Sequence, residues 1–171
     1  MKKIAVFGKP GSGKSTLSKS LASATGIKLH ALDSIVYKKN GDRVDREIYD
    51  EEHVSILSSD SWIIDGFGPI ESFNKRLDIA DTLIYVELPY ITCYWLVTKR
   101  LLKGMFIKPE GWPDGSSILK GTLESYKVLR ICSKFWNNNF MQKLEKISTN
   151  KSLYVIRSIS ELNSFVDKNL R

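Results

Sequence analysis

Short apolar runs recur along the chain, and the stretches between them carry apolar residues at helical spacing. Lys2-Lys3-Ile4-Ala5-Val6-Phe7 holds β-branched and aromatic members and reads as a buried strand. Leu17, Leu21 and Ala22 then repeat with a helical period over residues 15–25, and Gly26 suits the position just past a helix end. Residues 27–32 alternate as a second strand that stops at Asp33. Residues 34–44 are polar and basic around a turn signal, Asn40-Gly41-Asp42. Asp45 is placed to cap a helix carrying Ile48, Tyr49, Val54, Ile56 and Leu57. Ser61-Trp62-Ile63-Ile64 reads as a third strand ending at Asp65-Gly66, and residues 82–88 as a fourth, stopped by Pro89. A helix over about 90–102 leads into a Gly/Pro-rich segment, 104–115, and a long helix is expected from about Ser116 into the 140s. Leu153-Tyr154-Val155-Ile156 forms a fifth strand, and residues 161–170 a terminal helix.

Strands alternating with helices predict an α/β fold: three layers, α/β/α, around a five-stranded parallel sheet. Right-handed crossovers bring all the strand ends to one mouth, where ligands of such folds bind. Gly8 onward, Asp33, Asp65, the segment after Leu88 and Arg157 stand at those ends. With 171 residues, a single domain over 1–171 is expected.

The loop after the first strand carries the chemistry. Gly8-Lys9-Pro10-Gly11-Ser12-Gly13-Lys14-Ser15 matches the phosphate-binding pattern G-x-x-x-x-G-K-[ST] in full, and it sits between a strand and a helix as that pattern requires. Glycines let backbone N–H groups turn inward on an anion, and the following helix points its positive end at the same anion. Gly8, Pro10, Gly11, Ser12, Gly13, Lys14, Ser15 and Thr16 are therefore expected to hold ATP. Lys14 would reach the β- and γ-phosphates, and Ser15 would ligate Mg²⁺.

Other residues at the mouth extend this. Asp65 ends an apolar strand and is placed for the Mg²⁺ shell, with Gly66 beside it as part of the acceptor site. Asp33 is placed to orient an acceptor hydroxyl or act as its base, in competition with a helix-capping role. Arg76 would clamp an acceptor phosphate or carboxylate, unless it pairs with Asp78 or Asp81. Arg100, at the end of a helix, is placed to meet charge on the transferring phosphoryl group, and Arg130 is a weaker candidate for that role. Arg157 is expected against the nucleotide. The 104–115 segment, with Met105, Phe106 and Trp112 between hinge-capable residues, reads as a lid, and residues 34–60 as the acceptor side. Trp62, Trp95, Trp136, Phe135 and Phe140 fall on strand or helix faces, and most of them read as core packing rather than base stacking.

Composition narrows the class further. The chain is 42% hydrophobic and 26% charged, with a net charge of +7 that favours anionic partners such as nucleotides, phosphorylated metabolites or nucleic acid. The apolar runs are too short for a membrane span, and the first one runs straight into the Gly-rich loop, unlike a signal peptide. Cys93 and Cys132 lack metal-like spacing and suit reduced cytoplasmic thiols; His30 and His53 are isolated. Two partner classes fit: ATP with a small-molecule acceptor, or nucleic acid bound by an ATP-dependent regulator.

These features resemble the nucleoside and nucleotide kinase group of phosphate-binding-loop proteins. Ile63-Ile64-Asp65-Gly66-Phe67 is similar to the third-strand motif of adenylate kinases, but Gly68-Pro69 stands where they carry Pro-Arg. A nearer resemblance is to the adenylate-kinase-like DNA topology modulation proteins of the FlaR type. It is carried by Gly8 through Leu17, Leu32-Asp33, Trp62 through Gly66, Arg76-Leu77, Ala80-Asp81-Thr82, Leu88-Pro89 and Lys99-Arg100. The resemblance implies a phosphate-binding-loop kinase fold, ATP with Mg²⁺, and a loosely defined acceptor. The residues themselves contain no DNA-binding motif.

Overall fold

The two-residue period of a strand sorts β1, Lys3–Gly8, into two faces. Ala5 and Phe7 join one buried cluster; Ile4 and Val6 join another. The same division runs through β3, Trp62–Asp65, and β4, Thr82–Val86. A sheet buried on both faces needs helices on both, and the computed structural model has that arrangement. It describes residues 1–32, 35, 44–104 and 118–170.

With β2, Leu29–Ala31, and β5, Ser152–Ile156, the strands form one parallel five-stranded sheet in the order β2-β3-β1-β4-β5. Seven helices are described: α1 (Lys14–Thr25), α2 (Arg46–Ser58), α3 (Ile70–Ile79), α4 (Tyr90–Gly104), α5 (Ile118–Cys132), α6 (Asn138–Ile147) and α7 (Ile159–Leu170). Side chains of α2, α3 and α6 cover one face; those of α1, α4, α5 and α7 cover the other. The fold is a three-layer α/β structure, as the sequence predicts. Among the described residues, no helix is long and apolar enough to cross a membrane.

The first layer of the core is rich in rings. Phe7 is fully buried, stacked on Tyr85 at 5.6 Å and edge-on to Phe73 at 5.3 Å. Burying one such side chain contributes about 1.5–3 kcal/mol. These rings form the floor beneath the strand ends, so they also stiffen what lies above them.

Connections locate the site. β1 and β4 are neighbours, yet the chain leaves β1 toward β2 and leaves β4 toward β5. Diverging connections open a crevice at the carboxyl ends of the two strands.

Three expectations need correction. The single helix from Ser116 into the 140s is two helices, α5 and α6. Phe135 and Trp136 N–H groups donate to the Cys132 carbonyl and close α5, and the Asn137 side chain caps α6 by accepting from Phe140 N–H at 3.1 Å. α3 has no counterpart in the sequence reading, because Phe73 and Leu77 give too little periodicity to announce a helix. α7 begins at Ile159 rather than 161, where Ser158 Oγ accepts the Glu161 N–H at 3.1 Å and caps the earlier turn. Asp45 precedes α2 as expected, but by its backbone carbonyl, without a side-chain cap. The expected lid, apart from Gly104, and most of the 34–43 segment lie outside the described residues.

Candidate active site

Backbone shape comes first at this site. Gly8 ends β1 with φ +146°, and a Cβ there would run into the Val86 carbonyl of the neighbouring strand. Gly13 caps α1 at φ +83°, and a Cβ there would meet Leu162 of α7 at 2.7 Å. Gly8 needs glycine for conformation and for space, and Gly13 for its left-handed conformation, since the Leu162 methyl can move aside. Between them the chain turns on a Ser12 N–H to Lys9 carbonyl bond of 3.3 Å. Ser12 is fully buried, and its Oγ has no hydrogen-bond partner among the described residues.

Lys14 opens α1, and its Nζ donates to the Lys9 carbonyl at 2.7 Å, folding the ammonium over its own loop. The Lys9 ammonium is turned away, 4.3 Å from the Tyr90 ring centroid, and Lys9 is nearly buried. One lysine of the loop is thus held by a ring and the other stays at the mouth.

The loop opens on a cavity of about 710 Å³, within the size range of small-molecule sites. Gly8, Pro10, Gly11, Gly13, Lys14, Ser15 and Thr16 form one wall. Ala31, Asp65, Gly66 and Phe67, at the ends of β2 and β3, form a second. Sheet register explains this, since Asp65 pairs across to both Val6 and Ala31. The third wall comes from Leu96 and Arg100 of α4, Ser125, Val128, Ile131 and Cys132 of α5, and Phe135 and Trp136 beyond it. Arg100 Nη2 donates to Ser125 Oγ at 2.9 Å, and that hydroxyl donates to the Gly121 carbonyl at 2.9 Å, so the guanidinium bridges α4 and α5.

The donor set fits a nucleoside triphosphate with Mg²⁺. A glycine cradle no side chain could share, an orphaned buried Ser12 hydroxyl and a helix N-terminus without an acidic first turn are all suited to an anion. Ser15 and Asp65 face the same cavity. Among the described residues no three His, Cys, Asp or Glu side chains stand together as a metal cage. Mg²⁺ needs no such cage, being held by one or two protein oxygens plus phosphates and water.

No family model matches the sequence, and no curated protein matches it. Among solved structures, the chain is similar to a sugar kinase from Janibacter sp. in an unliganded crystal structure. The two are 16% identical, the match covers 99% of this chain and 92% of that one, and the TM-score is 0.49.

The cavity therefore brings together Gly8, Pro10, Gly11, Gly13, Lys14, Ser15, Thr16, Asp65, Gly66 and Arg100. Asp33 lies outside the described residues. Arg76 does not reach the cavity. It is fully buried behind the loop after β3, where Nη2 donates to the carbonyls of Gly66 at 2.8 Å and Phe67 at 3.0 Å. Burial lowers its pKa to about 10, against the opposing pull of Tyr49 and Asp65, so it stays charged at neutral pH. Arg157 is an exposed rim residue whose Nε donates to Glu87 at 3.0 Å. Arg130 is exposed on α5 and does not line the cavity.

Sequence reasoning does not find Phe67 as a site residue, and it favours core packing for Phe135 and Trp136. Both rings do pack on the core, Trp136 stacking on Tyr85 at 5.3 Å, but their other surfaces line the cavity. The one available signal was an adjacent aromatic pair just before Asn137, a helix-capping residue type. Cys132 also lines the cavity; burial raises its thiol pKa, which disfavours the thiolate form.

Proposed function

We propose that this chain is an ATP-dependent phosphotransferase acting on a small hydroxylated acceptor, a nucleoside or nucleotide. The observation that carries the reading is the shared cavity: the Gly8–Thr16 loop, Asp65 and Arg100 face one another across space for a second substrate. The resemblance to adenylate-kinase-like topology modulation proteins belongs to the same proposal.

In this reading the loop amides and Lys14 hold the triphosphate, and Lys14 exchanges the Lys9 carbonyl for phosphate oxygens. Ser15 and Asp65 would hold Mg²⁺, which when bound neutralises developing charge on the phosphates. Arg100, braced by Ser125, supplies a second fixed positive charge from the opposite wall. The α4 and α5 side chains screen the reacting centre from water.

The test is a screen of nucleosides, nucleotides and small hydroxylated metabolites for ATP-dependent ADP release, with Lys14→Ala as the control. Acceptor-dependent release that vanishes in Lys14→Ala supports the proposal. ATP binding without release on any acceptor class would reduce the protein to a nucleotide-binding one.

A further inference from the structure

We propose that the acceptor is selected by a planar ring rather than by a phosphate: Phe67, Phe135 and Trp136 form a stacking subsite for an unphosphorylated nucleoside, and Arg76 is the positioning residue that holds Phe67 in it. This rests on the phosphotransfer reading of the same cavity.

The three rings meet nearly at right angles. Phe67 stands edge-on to Phe135 at 4.8 Å and to Trp136 at 5.5 Å, and Phe135 and Trp136 cross at 87° with centroids 4.8 Å apart. Rings behind them fix these angles, with Phe73 4.6 Å from Phe67 and Phe140 4.8 Å from Trp136. A wall that rigid is pre-organised, so a flat ligand meets it without an ordering cost. The apolar surface continues into Ile131, which lines the cavity while 59% exposed. A polyol would leave its hydroxyls without partners on such a wall. A purine or pyrimidine has apolar faces for the rings and keeps its polar groups at the edge.

Arg76 bears on the choice between nucleoside and nucleotide. A guanidinium on the cavity surface would be the natural partner of an acceptor phosphate. Here it lies behind the wall, engaged with two backbone carbonyls of the loop that carries Phe67 and standing 5.2 Å over the Phe73 ring. Pulling the Gly66 and Phe67 carbonyls inward fixes the backbone from which the Phe67 ring reaches the cavity. Among the described residues, the cations lining the cavity are Lys14 on the phosphate-binding loop and Arg100 on α4, both claimed by the triphosphate.

The full chain is titrated calorimetrically with adenosine, guanosine, cytidine and thymidine, with their 5′-monophosphates, and with ribose and gluconate. Each titration is run with and without a non-hydrolysable ATP analogue and Mg²⁺. The expected result is binding of at least one nucleoside, no tighter binding of its monophosphate, and none of either sugar. Phe67→Leu should weaken the nucleoside tenfold or more and leave the ATP analogue within twofold. Arg76→Met should give the same split, with partial recovery in Arg76→Lys; a merely structural loss would lower both affinities together. If Arg76→Met does not fold, Arg76→Lys and Phe135→Leu carry the same comparison. A monophosphate binding tenfold tighter than its nucleoside, a sugar indifferent to Phe67→Leu, or no nucleoside binding beside a bound ATP analogue each overturns the proposal. Failure of the ATP analogue itself to bind would overturn the phosphotransfer reading, and the acceptor assignment with it.

Discussion

One side of the cavity is a single stretch of backbone, Gly8 to Thr16, while the side across from it, formed by the other two walls, is assembled from side chains that include Phe67, Val128, Ile131, Phe135 and Trp136. The first is shaped by dihedral angles that glycine alone adopts easily, so its geometry is written locally. The second depends on a strand end, a helix and a helix break that meet only after the sheet has formed. Substitutions in the two walls should therefore fail differently. Backbone-wall changes should remove the donor. Side-chain-wall changes should alter the choice of acceptor while leaving ATP in place.

Lys14→Ala is the largest expected effect and isolates the backbone wall. Removing the ammonium should lower phosphoryl transfer about a thousandfold or more, since a fixed charge at a transferring phosphate is worth several kcal/mol. Among the described residues the Lys14 side chain supports the loop through one bond to the Lys9 carbonyl, so the melting temperature should hardly move. Single-turnover transfer and a thermal melt on the same preparation measure the two quantities. A large drop in melting temperature with modest loss of turnover would contradict the assignment.

The packing behind the other wall has its own signature, in pH. His53 on α2 is buried and stacked on Tyr49 at 5.6 Å, and its pKa falls from 6.5 to about 4. Burial is the main cause and the Arg76 charge adds to it; Lys75 acts in the same sense and Asp50 against it. The native state keeps this imidazole neutral between those values, while the unfolded chain takes up a proton. Stability from this group is thus complete above pH 6.5 and is lost as pH falls toward 4, by about 3 kcal/mol in all. Denaturant titrations across that window should show the slope, and His53→Gln should flatten it. An unchanged slope in His53→Gln would assign the acid sensitivity elsewhere.

How much of this was legible follows from the same contrast. The sheet was readable because each strand is an apolar run bounded by a turn residue. The donor wall was readable because its motif is contiguous. From the sequence Arg76 reads either as a ligand clamp or as an ion-pair partner of Asp78 or Asp81, because a position after the strand-three loop does not separate a cavity residue from a buried brace. Only the carbonyl bonds to Gly66 and Phe67 separate them. Phe135 and Trp136 read as core from the sequence, since apolar composition does not say which face of a ring is covered. The break that turns them toward the cavity depends on Asn137 capping α6, a single side-chain bond inside what looks like one helix.

Arg100 stands on the side-chain wall yet serves the donor, and its removal should cost less than that of Lys14. Its guanidinium lines the cavity from α4 and is tied to Ser125 on α5. Arg100→Ala should reduce turnover about 10–50-fold, roughly 1.4–2.3 kcal/mol, with ATP affinity falling less than turnover. Ser125→Ala should reproduce a small part of that loss by loosening the brace. Equal losses in affinity and turnover would place Arg100 in ground-state binding rather than in the transfer step.

The smallest expected effect tests whether the rim belongs to the donor wall at all. Arg157 follows β5, at the same carboxyl end of the sheet as the phosphate-binding loop, and on sequence position alone it ranks beside Arg100. Its surroundings differ. The side chain is 63% exposed and paired with Glu87 at 3.0 Å, whereas Arg100 faces the cavity and bridges two helices. An exposed pair of this kind contributes at most about 1 kcal/mol. The backbone N–H of Arg157, which donates to Glu161 at 2.7 Å, survives any side-chain change. Arg157→Ala should therefore leave stability within about 0.5 kcal/mol and ATP affinity within twofold, measured by thermal melt and calorimetry. A tenfold fall in ATP affinity would show the guanidinium leaving Glu87 for the nucleotide, and would extend the donor wall from one stretch of backbone to a second strand end.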